Sequence, residues 1–98
     1  MTLEKALAVL RANQEALRAR GILHAAIFGS VARGDARPDS DVDVIVDLTP
    51  GHPSGIFEFV RLRNDLSEMV GQPVDLVERA AMKQFVRERV EREAIDVF

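Results

Sequence analysis

The stretch Phe28-Gly29-Ser30-Val31-Ala32-Arg33-Gly34-Asp35-Ala36-Arg37-Pro38-Asp39-Ser40-Asp41-Val42-Asp43 decides how the rest of the chain is read. It holds a Gly-Ser turn, ten further residues and then two aspartates one residue apart. An apolar strand-like run, Ile22 to Phe28, leads into the turn, and a second, Val42 to Val46, begins at the aspartates. On a strand, residues two apart project to the same face, roughly 6.5–7 Å apart along the backbone. Asp41 and Asp43 therefore share a face. Carboxylates this close repel one another, and a shared cation relieves the repulsion. Magnesium suits that position, because one or two carboxylates and substrate phosphates complete its oxygen shell.

The other residues of the stretch fit the same chemistry. Gly29 lets the backbone turn sharply and approach a ligand. Ser30 starts a short turn whose free N–H groups and hydroxyl suit a phosphate, or it serves as an ordinary helix cap. Arg33 is a second phosphate candidate, with a solvated loop arginine as the plain alternative. Ser40 either orients Asp41 or ends the loop. Asp75 interrupts another apolar run, Val74 to Val77, and completes a three-carboxylate cluster if its strand pairs with that of Asp43. Each element taken singly has a structural explanation; their joint occurrence between strands favours a site. The alternative phosphate loop ending in Gly-Lys-Ser/Thr is absent.

Outward from this core, Leu3, Ala6, Leu7, Leu10 and Leu17 predict a helix from Leu3 to Arg20, stopped at Gly21. Strands are expected over Leu23–Phe28, Val42–Leu48 and Pro73–Val77, and the Pro/Gly-rich run Thr49–Gly55 reads as a loop. Ile56, Phe59, Val60, Leu62, Leu66, Met69 and Val70 mark a helix ended by Gly71, and Met82, Phe85, Val86 and Val90 mark a last one. Residues 94–98 form either a helical turn or an extended segment. The expected architecture is α/β (α+β): a small mixed sheet of about three strands, with flanking helices on one side. The connection from Ser30 to Ser40 is too short for a helical crossover, so the first two strands should be antiparallel.

Composition narrows the function. The 98 residues predict a single domain, 1–98, with one modest core. There is no cysteine, so disulfides and thiolate metal sites are excluded. Thirteen basic residues against sixteen acidic ones argue against broad, direct nucleic-acid binding. Neither Trp nor Tyr is present to stack on bases. No membrane span and no signal-peptide pattern are seen, so a cytoplasmic location is expected. His24 and His52 lack partners at ligand spacing, the Arg/Glu run from Arg87 to Glu93 reads as a solvated helix face, and Ser54 lacks a nucleophile-elbow context.

The pattern Gly29-Ser30-x10-Asp41-x-Asp43 resembles the signature of the polymerase-β-like nucleotidyltransferase superfamily. The short length, Ala32-Arg33-Gly34, Ser40-Asp41 and Val74-Asp75-Leu76-Val77 most resemble its minimal (MNT) members. The resemblance spans about Ile22 to Ile95. It implies that Asp41, Asp43 and Asp75 hold two magnesium ions, and that Gly29 and Ser30 form the nucleotide-phosphate turn. It further implies attack of an acceptor hydroxyl on the α-phosphate of ATP, with Asp75 at the acceptor side. MNT proteins pair with HEPN-domain proteins in modules resembling toxin–antitoxin systems, so the implied role is an antitoxin that transfers AMP to a tyrosine of a HEPN toxin. Two other readings remain open: a non-catalytic module that occludes its partner, with the apolar tail Val97-Phe98 as docking surface, or a homodimeric nucleotidyltransferase for small molecules.

Overall fold

In the computed structural model, which describes residues Met1–Phe98, the apolar runs and their punctuation translate into ten short elements. These are α1 (Leu3–Ala12), α2 (Gln14–Ala19), β1 (Ile22–Phe28), α3 (Gly29–Arg33), β2 (Val42–Leu48), α4 (Gly55–Val70), β3 (Val74–Glu78), a 3-10 turn (Arg79–Ala81), α5 (Gln84–Glu93) and β4 (Ile95–Asp96). Thr2 caps α1 by accepting from the Lys5 N–H at 3.2 Å. The single helix expected over Leu3–Arg20 is broken at Asn13. Its side-chain amide donates to the Val9 carbonyl at 2.8 Å, and its backbone N–H turns to the Leu10 carbonyl at 3.2 Å. An asparagine offers the backbone such local alternatives to a regular helix.

The sheet is mixed, in the order β3-β2-β1-β4. The short connection makes β1 and β2 antiparallel, as expected, with Ile27 opposite Val44 and Phe28 opposite Asp43. Between β2 and β3 the chain has room for the α4 crossover, and these strands are parallel. A fourth strand, β4, adds to the three expected: residues 95–96 pair antiparallel with Ala26 and Ile27.

Both faces of the sheet are covered, which corrects the expectation of helices on one side. Val42, Val44 and Val46 join Leu10, Leu17, Leu62 and Leu66 in the larger core. On the opposite face Ala26 and Ile45 pack against Val90, with Met82 and Val86 beside them. The helical stripe of α5 names what it buries but carries no information about which sheet face receives it. Phe85, expected on that stripe, is 71% exposed, and Ile56 and Phe57 at the start of α4 are also exposed.

The tail is another correction. Val97 is buried, so it is not a free docking surface. Arg11 of α1 donates from Nε to the Val97 carbonyl and from Nη2 to the Asp96 carbonyl, both at 2.9 Å. Arg18 lies over the half-buried Phe98 ring, 5.1 Å from its centroid. No helix is long and apolar enough to cross a membrane.

Candidate active site

Strand register assembles the site. Asp43 lies opposite Phe28 in β1 and level with Asp75 in β3. Residues in register on neighbouring strands stand about 4.8 Å apart and point to the same face. Asp41 precedes β2 by one residue and is exposed, whereas Asp43 is half-buried and Asp75 exposed.

The Gly29–Ser30 turn follows β1 directly, which brings it against Asp43. Gly29 has φ 71°, in the left-handed region. A Cβ there would land on Asp43 Oδ2 and within 3.0 Å of its Cγ. Glycine is thus required twice, once for the backbone and once for the space. The N-cap of α3 is Phe28, which offers no side-chain hydrogen bond, so Ser30 is not the cap but the second residue of the turn. Ser40 ends the loop: its hydroxyl accepts from the Arg37 N–H at 2.9 Å, and its own N–H donates to the Arg37 carbonyl at 3.0 Å.

Electrostatics show what the acids lack. Burial pushes the Asp43 carboxyl above its ordinary pKa; the charges of Asp75 and Asp41 push the same way, as does a hydrogen bond with Asp75. The nearby positive charge of Arg33 opposes them. Arg33 itself donates to Asp35 at 3.3 Å and to both Glu93 oxygens at 3.4 Å, and these carboxylates, Asp35 foremost, hold its pKa above the usual arginine value.

The three aspartates do not form a closed ligand cage, since no group of three or more His, Cys, Asp or Glu side chains converges at metal-ligating distance. An open set of carboxylates with an under-compensated charge still fits magnesium, which takes its remaining ligands from water and phosphate. Asp41, Asp43 and Asp75 are the carboxylates that this end of the sheet would offer to such an ion.

His24 and His52 lie elsewhere. His24 sits opposite Asp47 near the far end of β2, and His52 packs beside Gly21. Asp47 is part of a separate network with Arg79, 3.0 Å away, which also pairs with Glu91 of α5. Glu93 was hidden from sequence reasoning. Within the Arg87–Glu93 run no i,i+4 Arg–Glu ion pair forms; Glu88 instead accepts from Gln84 Nε2 at 3.2 Å, Glu91 pairs with Arg79, and Glu93 reaches back to Arg33, sixty positions away. No local periodicity signals such a pairing.

Comparison with known proteins identifies the family. Residues 9–97 match the family model described as the nucleotidyltransferase domain. The protein adenylyltransferase MntA of Thermococcus cleftensis is 38% identical over 98 residues, covering 99% of this chain and 97% of the relative. A solved structure assigned as a minimal nucleotidyltransferase superposes with a TM-score of 0.82 at 37% identity, covering 97% of this chain and 95% of the other. The complex of tri-AMPylated Shewanella oneidensis HEPN toxin with MNT antitoxin matches at 17% identity, a TM-score of 0.63 and coverage of 91% and 70%, a likeness of fold. The extent of the family match and the similarity over nearly the whole chain show that this protein belongs to the nucleotidyltransferase domain family, and that it has the form of its minimal members.

Proposed function

We propose that this protein is a magnesium-dependent protein adenylyltransferase that transfers AMP from ATP to a tyrosine hydroxyl of a HEPN-domain toxin, and so acts as the antitoxin of a cytoplasmic pair. The observation that carries the reading is the Gly29 turn lying directly against Asp43, with Asp75 level with Asp43 on the next strand. The names of the Thermococcus relative and of the Shewanella complex support the donor and the partner.

In this mechanism the Gly29–Ser30 turn holds the departing phosphates through its N–H groups and the Ser30 hydroxyl. Arg33, beside Asp43 and steadied by Asp35 and Glu93, adds positive charge at that end. Magnesium, when bound by Asp41, Asp43 and Asp75, offsets the charge of both the carboxylates and the triphosphate. The acceptor oxygen forms a bond to the α-phosphorus while the bond from that phosphorus to the bridging oxygen of pyrophosphate breaks. Asp75 takes the hydroxyl proton, and pyrophosphate leaves with the electron pair.

Incubation with ATP labelled at the α-phosphate, magnesium and the HEPN partner should label the partner. The folded double variant Asp41→Asn/Asp43→Asn should transfer nothing. Equal labelling by that variant would remove the aspartates from the mechanism.

A further inference from the structure

The sheet order separates the two ends of the site. The Gly29–Ser30 turn follows β1 on one side of β2, and Asp75 belongs to β3 on the other. Phosphates held at the turn therefore leave the β3 side for whatever receives the nucleotide. On that side an open cleft of about 480 Å³ lies against Asp41 and Asp75, walled by Arg63, Asn64 and Ser67 of α4 and by Pro73 and Val74.

The wall is fixed in place. The Ser67 hydroxyl accepts from the Val74 N–H and donates to the Arg63 carbonyl, both at 3.0 Å, tying α4 to the start of β3. The Pro73 carbonyl accepts from the Val42 N–H at 2.9 Å, tying the same point to β2. Ser67 is thereby occupied, but Arg63 is not. Its one side-chain hydrogen bond goes to Asn64 Oδ1 at 3.1 Å, and it forms no ion pair, although two aspartates line the same cleft. A guanidinium fork with donors to spare, on a firm wall beside the reacting centre, suits a carboxylate brought by another molecule.

We propose that this cleft is the acceptor subsite and that it receives a polypeptide segment whose hydroxyl-bearing residue lies next to an acidic one. The hydroxyl meets Asp75, the neighbouring carboxylate pairs with Arg63, and the Asn64 amide binds the segment's backbone. Of the residues lining the cleft only Pro73 and Val74 are apolar, which favours a polar chain segment over an apolar small molecule. This inference rests on the protein-adenylyltransferase reading above.

The test compares Arg63→Ala, Arg63→Glu and Arg61→Ala in the full chain. Arg61 carries the same charge two positions away, outside the cleft and facing Glu58. For each, the KM for the HEPN partner and the calorimetric Kd for AMP-PNP with magnesium are measured. Arg63→Ala should raise the acceptor KM about tenfold and Arg63→Glu further, with the AMP-PNP Kd and thermal midpoint unchanged. Arg61→Ala should leave the acceptor KM where it is. An unchanged acceptor KM in Arg63→Glu, an equal rise in Arg61→Ala, or a parallel rise in the AMP-PNP Kd would overturn the acceptor assignment and leave the transferase reading standing. Failure of the wild type to label its partner would overturn both.

Discussion

At the scale of single residues, Gly29 and Asp43 constrain each other. A side chain at Gly29 must adopt a left-handed backbone and displace the Asp43 carboxylate. Gly29→Ala should cost about 1–3 kcal/mol in chemical denaturation and abolish AMP-PNP binding by calorimetry. Gly34 provides the comparison, with φ 82° and nothing within 4 Å of an added Cβ. Gly34→Ala should cost only the backbone penalty, about 1 kcal/mol, and bind AMP-PNP normally. Asp43 yields a prediction of opposite sign for stability and function. Its pKa is raised in the folded state, so the protonated form is the better tolerated one. Its effect on stability is then most favourable below the ordinary value of 3.8 and declines as pH rises from there through the raised folded pKa. Without metal at pH 7, Asp43→Asn should melt no lower than the wild type, and should lose that relative advantage on acidification while remaining inactive at every pH. A lower melting point for the variant at pH 7 would show that the carboxylate is structurally stabilised rather than strained.

At the scale of elements, the chain's own signals were uneven. The Gly-Ser turn, the strand bearing Asp43 and the strand bearing Asp75 were all legible, because period-two alternation and glycine punctuation are local, although Asp41, read as sharing the first of these strands, lies one residue before it. The antiparallel pairing of β1 with β2 was also legible from the length of their connection. The break at Asn13 was not, since a polar residue on a helix looks the same whether or not its amide takes a carbonyl from the preceding turn. Nor was β4, whose two residues pair with the open edge of β1 while Arg11 grips the carbonyls of Asp96 and Val97. Arg11→Ala removes two charge-assisted hydrogen bonds, partly exposed, and should cost about 1–2 kcal/mol. Exchange of the Val97 N–H, which donates to the Ala25 carbonyl at 2.8 Å, should accelerate beyond that of the central strands. Uniform acceleration over the whole sheet would mean that the tail unfolds only with everything else. The site shows the same division: the aspartates and the turn follow from spacing, while Glu93 reaches Arg33, and Arg63 comes to line one cleft with Asp41 and Asp75, only when distant elements pack.

At the scale of the whole molecule, the proposed magnesium would offset both the net charge of −3 and the repulsion that Asp41 and Asp75 exert on Asp43. Magnesium with AMP-PNP should raise the melting temperature of the wild type, by roughly 2.7 kcal/mol of added stability at one hundred times the dissociation constant. Asp41→Asn/Asp43→Asn should show little of this shift. The Gly29–Ser30 turn lies on one side of β2 and the cleft lined by Asp41 and Asp75 on the other, so the proposed nucleotide and acceptor ends are separate. In the proposed reading, recognition of the partner and the chemistry meet at Asp75. The most direct test of nucleotidyl transfer uses two labels of ATP, one at the α-phosphate and one at the γ-phosphate, with magnesium and the HEPN partner. The account predicts that the α-label becomes covalently bound to the partner while the γ-label is recovered entirely in pyrophosphate. Partner labelled from the γ-position, or from neither, would contradict it.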